Sequence, residues 1–355
     1  MRELRRLFRR RGDGGGGTLR SEGGHTTSYP RVTAEDVARL KQAVGDKHVS
    51  TGESNLDLHS RDESYHPPHR PDVVVWPQDT GDVVAVVKLA AEKGYAVTPW
   101  CAGTSLEGNP IPVHGGIVLD FNEMNRVLEI REKDLQVDVE VGIQYREINN
   151  QLRHYGLFFP PDPGAWASLG GMIGNNASGV RTVAYGATRD CILGMEVVMA
   201  DGEVITLGSR AIKSSSGYDL MRLLIGSEGT LGIATKATLR LKGLPPEYLT
   251  TVATFPTVHA ACEAVSDTIR YGLNPAALEL MDASVVAEIN KDRGMGLEEN
   301  PMLFLEFHNV NKAALENQYE MVESVLQEHG ALTIEKGVGT DERARLWDAR
   351  HGALE

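Results

Sequence analysis

The sequence predicts an α+β fold built in two parts, and three observations lead there. Strand-like alternation and helix-like spacing follow one another through the chain, without a long all-helical or all-strand block. Glycine reaches 38 of 355 residues, and 21 of those fall between Gly94 and Gly243, inside well-patterned segments. The diproline Pro245-Pro246 then interrupts the pattern, after which strand, helix and strand recur.

The elements follow in order. Residues 1–30 are basic and then rich in Gly, Ser and Thr, which suits a disordered tail and linker. Thr33 is placed to cap a helix to Val44, with Glu35 and Asp36 in its first turn. A short strand over Asp72–Trp76 precedes a helix capped by Thr80, with Gly94 just past its end. A second strand, Tyr95–Thr98, is expected to stop at Pro99. Strands follow at Ile117–Phe121, Val127–Ile130 and Gln136–Val141, then a helix through Tyr145, Ile148 and Leu152. The stretch from Pro160 to Arg189 looks like one long Gly/Asn/Ser loop. Met195–Met199 and Glu203–Leu207 flank Asp201-Gly202, which predicts a two-residue hairpin turn. Alternation resumes over Ile233–Leu241.

Past the diproline, strands are expected at Leu249–Phe255, Ala276–Met281, Met302–His308 and Ala331–Glu335. Helices are expected over His259–Tyr271 and Lys312–Glu328, and a final one from about Asp341. That last helix meets no stop signal before Glu355, so the second part is expected to be a truncated domain. The predicted division is a tail to residue 30, one domain over 31–245 and a second over 246–355.

Composition excludes several classes. A net charge of −13 opposes nucleic acid as a partner, since every phosphate contact would be resisted. The exception is the start, where seven Arg face only Glu3 and Asp13 in 20 residues. No run approaches the ~18 apolar residues of a membrane span, and no apolar signal-peptide core follows the Arg cluster. Three separated cysteines (Cys101, Cys191, Cys262) suit a reduced compartment. A cytoplasmic protein is therefore expected.

Three glycine-bearing loops are the candidates for chemistry. The first runs from Pro99 to Gly108 and includes Gly103-Thr104-Ser105-Leu106-Glu107-Gly108. The second holds Pro161-Asp162-Pro163-Gly164 and Gly170-Gly171-Met172-Ile173-Gly174-Asn175-Asn176-Ala177-Ser178-Gly179. The third is Gly226-Ser227-Glu228-Gly229-Thr230-Leu231-Gly232-Ile233. Each alone is compatible with ordinary turn chemistry. None fits the dinucleotide fingerprint or the P-loop. Together they suit one long ligand, with its pyrophosphate at one loop and its rings at the others.

The order of these motifs resembles the FAD-binding domain of the vanillyl-alcohol-oxidase, or PCMH-type, flavoproteins. The likeness runs from about Arg61 to Leu354 and adds Val75-Trp76-Pro77-Gln78, Tyr185-Gly186 and Lys213-Ser214-Ser215-Ser216-Gly217-Tyr218-Asp219-Leu220. Leu303-Phe304-Leu305-Glu306-Phe307-His308 and Leu346-Trp347-Asp348-Ala349-Arg350-His351 extend it into the second part. Within that family the sequence is most similar to cytochrome-type D-lactate dehydrogenases, with glycolate oxidase subunits and D-2-hydroxyglutarate dehydrogenases as cousins. The resemblance implies a two-subdomain FAD-binding domain followed by an incomplete ferredoxin-like cap.

It also implies roles. Pro99, Cys101, Ala102, Gly103, Thr104, Ser105 and Gly108 would surround the FAD pyrophosphate. Pro161, Asp162, Ser168, Leu169, Gly171, Asn175, Ser178, Gly179 and Tyr185 would line the flavin and its ribityl chain. Glu228, Gly229, Gly232 and Ile233 would meet the adenine half. Arg350 would pair with a substrate carboxylate, with His308 as a second substrate contact. Noncovalent FAD is expected, because the first loop has no His for attachment. The catalytic base and a divalent metal such as zinc or manganese are expected from a His-rich segment beyond Glu355.

The implied reaction is oxidation of a D-2-hydroxy acid, D-lactate first, with hydride passing to flavin N5 and electrons to a quinone, cytochrome or flavoprotein. Glycolate, D-2-hydroxyglutarate, other flavin oxidations and a non-catalytic flavin-binding subunit stay open as alternatives, as do a homodimer and peripheral contact with a respiratory membrane.

Overall fold

The computed structural model describes residues 29–338 and Trp347. The basic, glycine-rich start, the final predicted helix apart from Trp347, and Arg350 lie outside those residues.

The first layer is a four-stranded sheet of β1 (Val49–Ser50), β2 (Val73–Val75), β3 (Val97–Trp100) and β4 (Ile117–Asp120), in the order β1-β2-β4-β3. The strands β2, β4 and β3 run parallel, as their crossover helix Thr80–Lys93 requires. Both faces are covered, so β2 and the Ile117–Leu119 stretch of β4 are continuous buried apolar runs, with the buried Asp120 ending β4. Two expectations change here. Asp79, not Thr80, caps the helix: its carboxylate accepts the Asp82 N–H at 3.1 Å, while Thr80 donates to Glu196. The strand also runs through Pro99 to Trp100, because β3 is the sheet edge, where a missing N–H breaks no ladder.

The chain continues through β5 (Val127–Arg131), β6 (Gln136–Glu140), β7 (Leu157–Phe158), β8 (Ile192–Val198), β9 (Val204–Gly208), β10 (Ile233–Arg240) and β11 (Lys242–Gly243). Of these, β5-β6-β10-β8-β9 form an antiparallel sheet, and β7 pairs with β11. One hydrophobic cluster joins the two larger sheets, from Leu40 and Val83 to Ile233 and Leu241. The β8–β9 turn is longer than the predicted two residues. Gly202 N–H bonds Met199 O at 2.8 Å and Met199 N–H bonds Glu203 O at 2.8 Å, leaving Gly202 at φ +81°. That is a three-residue turn with its glycine in the left-handed position.

The supposed long loop from Pro160 to Arg189 contains three short helices, Leu169–Asn175, Thr182–Tyr185 and Thr188–Cys191. Gly170, Gly171 and Gly174 disguise the first, since glycine disfavours helix by ~1 kcal/mol each. Tertiary contacts override that. Leu169, Met172 and Ile173 are buried, and Gly170 N–H bonds Val141 O at 2.7 Å.

The second part is a sheet of β12 (Glu247–Thr254), β13 (Ala277–Met281), β14 (Met302–Asn309) and β15 (Thr333–Val338), in the antiparallel order β13-β14-β12-β15. This is a ferredoxin-like arrangement with the unforeseen helix Ala283–Arg293 inserted between β13 and β14. Strand parity then sorts the side chains. Leu303, Leu305 and Phe307 pack beneath the helices Val258–Arg270 and Lys312–Glu328. Met302 and Phe304 face the other way, in a cluster with Trp347 that Val180 of the first part joins. Glu306 and His308 share that second face by the two-residue period. No described helix is long and apolar enough to cross a membrane.

Candidate functional site

The three glycine-bearing loops converge on one cavity of about 1760 Å³. That exceeds the ~300–1,000 Å³ of common small-molecule pockets and suits a long ligand. The first loop leaves the end of β3. At Gly103, φ is +69° and an added Cβ would lie 2.6 Å from Trp100 Cζ2. The third loop rests on the first, since a Cβ on Gly229 (φ +77°) would lie 2.6 Å from Pro99 Cγ. The helix Leu169–Asn175 ties both together. Gly226 N–H bonds Ile173 O at 2.9 Å, Glu228 N–H bonds Gly174 O at 3.0 Å, and Asn109 Nδ2 donates to Asn175 Oδ1 at 3.1 Å.

Of the residues singled out from sequence, Pro99, Cys101, Ala102, Gly103, Thr104, Ser105, Asp162, Ser168, Gly171, Asn175, Ser178, Glu228, Gly229, Gly232, Ile233 and His308 line this cavity. Gly108, Pro161, Leu169, Gly179 and Tyr185 do not line it. Gly108 packs on His66, Leu169 is wholly buried in the core, and Gly179 lies against the Asp162 backbone. Tyr185 stands behind the wall and meets His308 there, Oη to Nδ1 at 3.0 Å.

Electrostatics differ along the wall. Burial pushes the Cys101 thiol up to about 12, so it stays protonated near neutral pH. Burial, reinforced by the Asp162 charge, pushes the Tyr145 phenol up to about 12, and its hydroxyl donates to Asp162 Oδ1 at 2.8 Å. Behind the first loop, His59 is fully buried between Asn55 O (2.7 Å) and Asp120 Oδ2 (2.9 Å), and its ring lies 4.4 Å from that of Trp100. Trp76 Nε1 also donates to Asp120 Oδ2, at 2.7 Å.

The wall fits a polar, ring-bearing cofactor. Trp100 Nε1 is buried at a cavity-lining residue without a hydrogen-bond partner, so one polar group is left for a ligand. The small residues of the three loops leave the backbone open to close approach. Among the described residues, no group of three or more His, Cys, Asp or Glu side chains could hold a metal ion.

Sequence reasoning missed Arg146, Trp166, Arg181 and Tyr248, all of which line the cavity. Arg146 donates from Nε to Tyr145 Oη at 3.1 Å and from Nη2 to Gly164 O at 2.8 Å, and its guanidinium lies 4.3 Å over the Trp166 ring. A signal existed for Arg181, an arginine in a glycine-rich stretch with no acid three or four residues away.

Comparison with known proteins agrees with this geometry. Residues 71–208 match the family described as FAD binding domain, and residues 244–355 match FAD linked oxidases, C-terminal domain. The chain is 37% identical over 340 residues to a probable mitochondrial D-lactate dehydrogenase of Danio rerio, covering 95% of this chain and 67% of that one. It is 36% identical to the mitochondrial D-lactate dehydrogenase [cytochrome] of Arabidopsis thaliana, covering 92% and 58%. It is 32% identical to the glycolate oxidase subunit GlcD of Bacillus subtilis, covering 91% and 69%. The chain thus spans about three-fifths to two-thirds of these relatives' length. Among solved structures, p-cresol methylhydroxylase superposes with a TM-score of 0.76 at 19% identity, covering 90% of this chain and 71% of that one. Alkyldihydroxyacetonephosphate synthase gives 0.74 at 21%, covering 92% and 64%, and both show the fold alone. With an FAD-binding domain, a matching cap and relatives of this similarity, the chain belongs to the FAD-linked oxidoreductase family that includes D-lactate dehydrogenases and glycolate oxidase subunits.

Proposed function

We propose that this chain carries the flavin and cap parts of an FAD-dependent dehydrogenase that oxidises a D-2-hydroxy acid, D-lactate first, to the 2-oxo acid. The carrying observation is the single cavity that runs from the three small-residue loops to Tyr248 and His308 of the cap sheet. The D-lactate dehydrogenase relatives support the substrate class, and the word cytochrome in one relative's name supports a quinone or cytochrome-type acceptor. Glycolate is the second substrate to test, given the GlcD relative.

In this reading the loop Pro99–Ser105 holds the FAD pyrophosphate. Asp162, Ser168, Gly171, Asn175 and Ser178 hold the flavin and ribityl portions, and Glu228, Gly229, Gly232 and Ile233 hold the adenine half. Bound FAD supplies the two-electron acceptor that no side chain of this protein can provide. The protein's own share is to orient the substrate and shield it from water. Arg350, outside the described residues, keeps its proposed role at the substrate carboxylate, and a divalent metal with its base stays part of the proposal for the whole enzyme. The protonated Cys101 thiol and a loop without His support noncovalent attachment. Two separate groups of core clusters support a boundary near residue 245.

Anaerobic addition of D-lactate to the FAD-loaded protein should bleach the flavin absorbance, while L-lactate should not. A flavin that stays oxidised with every D-2-hydroxy acid, even with added zinc or manganese, would end this assignment. Acid precipitation should release yellow flavin to the supernatant; colour kept in the pellet would mean covalent attachment.

A further inference from the structure

Arg181 lines the cavity with its side chain only 16% exposed. Its Nε is buried and has no hydrogen-bond partner. Among the described residues its carboxylate neighbour is Asp162, whose Oδ2 forms an ion pair with Nη1 at 3.7 Å, too long for a hydrogen bond. Asp162 is also committed elsewhere, accepting the Tyr145 hydroxyl at 2.8 Å and the Gly164 N–H at 3.3 Å. Beyond these, the guanidinium lies 5.8 Å from the Phe158 ring centre. A cation withdrawn from water with donors unused is costly unless a ligand completes it.

Its position narrows the ligand. Just before Arg181, Val180 O accepts the Leu278 N–H of the cap at 3.0 Å, so this backbone is pinned where the two parts meet. Phe158 packs edge-on against Tyr185, whose hydroxyl reaches His308. His308 has both ring nitrogens engaged, Nε2 with Glu306 at 2.6 Å and Nδ1 with Tyr185. It therefore shapes the wall, and Arg181 is left with donors for a ligand.

We propose that Arg181 is an anion-recognition residue that grips the substrate carboxylate from the flavin-domain side of the cavity. The planar guanidinium matches a carboxylate with two parallel hydrogen bonds. A carboxylate has about four lone-pair sites, so it can accept from Arg181 and from a cap arginine together. This inference rests on the reading of the substrate as a 2-hydroxy acid.

Oxalate, an unreactive carboxylate, is the probe, measured by titration calorimetry on the FAD-loaded protein. Arg181→Gln should weaken oxalate binding roughly 10- to 100-fold, with FAD content and thermal midpoint held. Arg181→Lys keeps the charge but loses the fork, so its affinity should fall between the two. Unchanged oxalate affinity in either variant, or no oxalate binding by the wild type, would overturn the proposal. So would loss of FAD from Arg181→Gln, because Arg181 would then belong to the cofactor's site. Arg181-dependent oxalate binding without bleaching by any D-2-hydroxy acid would keep the anion site and remove the reaction. Bleaching by D-lactate with the same KM in wild type and Arg181→Gln would do the reverse.

Discussion

Tyr185 Oη and His308 Nδ1 meet at 3.0 Å, a hydrogen bond from the flavin part of the chain to the cap sheet. The other ring nitrogen of His308 is held by Glu306 at 2.6 Å, and Glu306 is fully buried. Truncating His308 removes a partner from that buried acid, whereas Tyr185→Phe deletes one hydrogen bond. The expected costs are about 3 kcal/mol for His308→Ala and about 1 kcal/mol for Tyr185→Phe. Urea unfolding of the two variants checks the order. Equal costs would mean that the Glu306–His308 pair contributes nothing beyond an ordinary hydrogen bond.

The His59–Asp120 pair braces the first loop from behind, with the Trp100 ring lying over His59. Asp120 also accepts from Trp76 Nε1 and from Asn122 N–H at 2.9 Å, so one carboxylate organises three donors. Asp120→Asn is expected to cost about 3 kcal/mol or more, since the replacement breaks a buried pair on one side only. FAD affinity should fall as well, read by fluorescence during flavin titration of the apoprotein. Unchanged flavin affinity in a folded variant would detach the pair from the loop.

Much of this fold was legible because period and capping agree. The alternation of Ile233–Arg240 predicted a half-buried strand, and the Lys312–Glu328 helix begins just after the capping side chain of Asn311. The glycine loops were legible as a joint site, since three such loops in one domain are hard to explain as turns alone. Several short helices were not, and two of them show why. Leu169–Asn175 is glycine-broken in sequence and forms through its buried contacts, and Ala283–Arg293 buries only Val286 and Ile289. Arg181 carried only a weak signal, the absence of an acid three or four residues away: that its Nε lacks a hydrogen-bond partner is a fact of tertiary structure, which spacing along a chain cannot express.

Thiol reactivity separates the three cysteines. Burial raises the Cys101 and Cys191 thiols to about 12 and about 11, while Cys262 is exposed. A raised thiol pKa means less thiolate, so at pH 8 the half-buried Cys101 and the buried Cys191 both stay in the unreactive protonated form. Maleimide at pH 8 should modify the native protein once, at Cys262, and three times after denaturation, as read by intact mass. Rapid native labelling of Cys101 would contradict the packing of the first loop.

Gly171 gives the sharpest separation of cofactor from fold. It lines the cavity, its φ is not in the left-handed region, and an added Cβ would find nothing nearer than Ser168 Oγ at 3.7 Å. The protein alone therefore has room for alanine there, and helix propensity favours it by ~1 kcal/mol over glycine. Gly229 has no such room, because its Cβ would collide with Pro99 at φ +77°. Gly171→Ala should leave the apoprotein as stable as wild type or slightly more so, yet reduce bound FAD if the flavin approaches that backbone. Gly229→Ala should lose both, with a stability cost of at least ~1–2 kcal/mol from the left-handed backbone alone. Thermal midpoints of the apoproteins, set beside their FAD-to-protein ratios after reconstitution, decide the matter. A Gly171→Ala protein with full FAD content would move the flavin away from this helix.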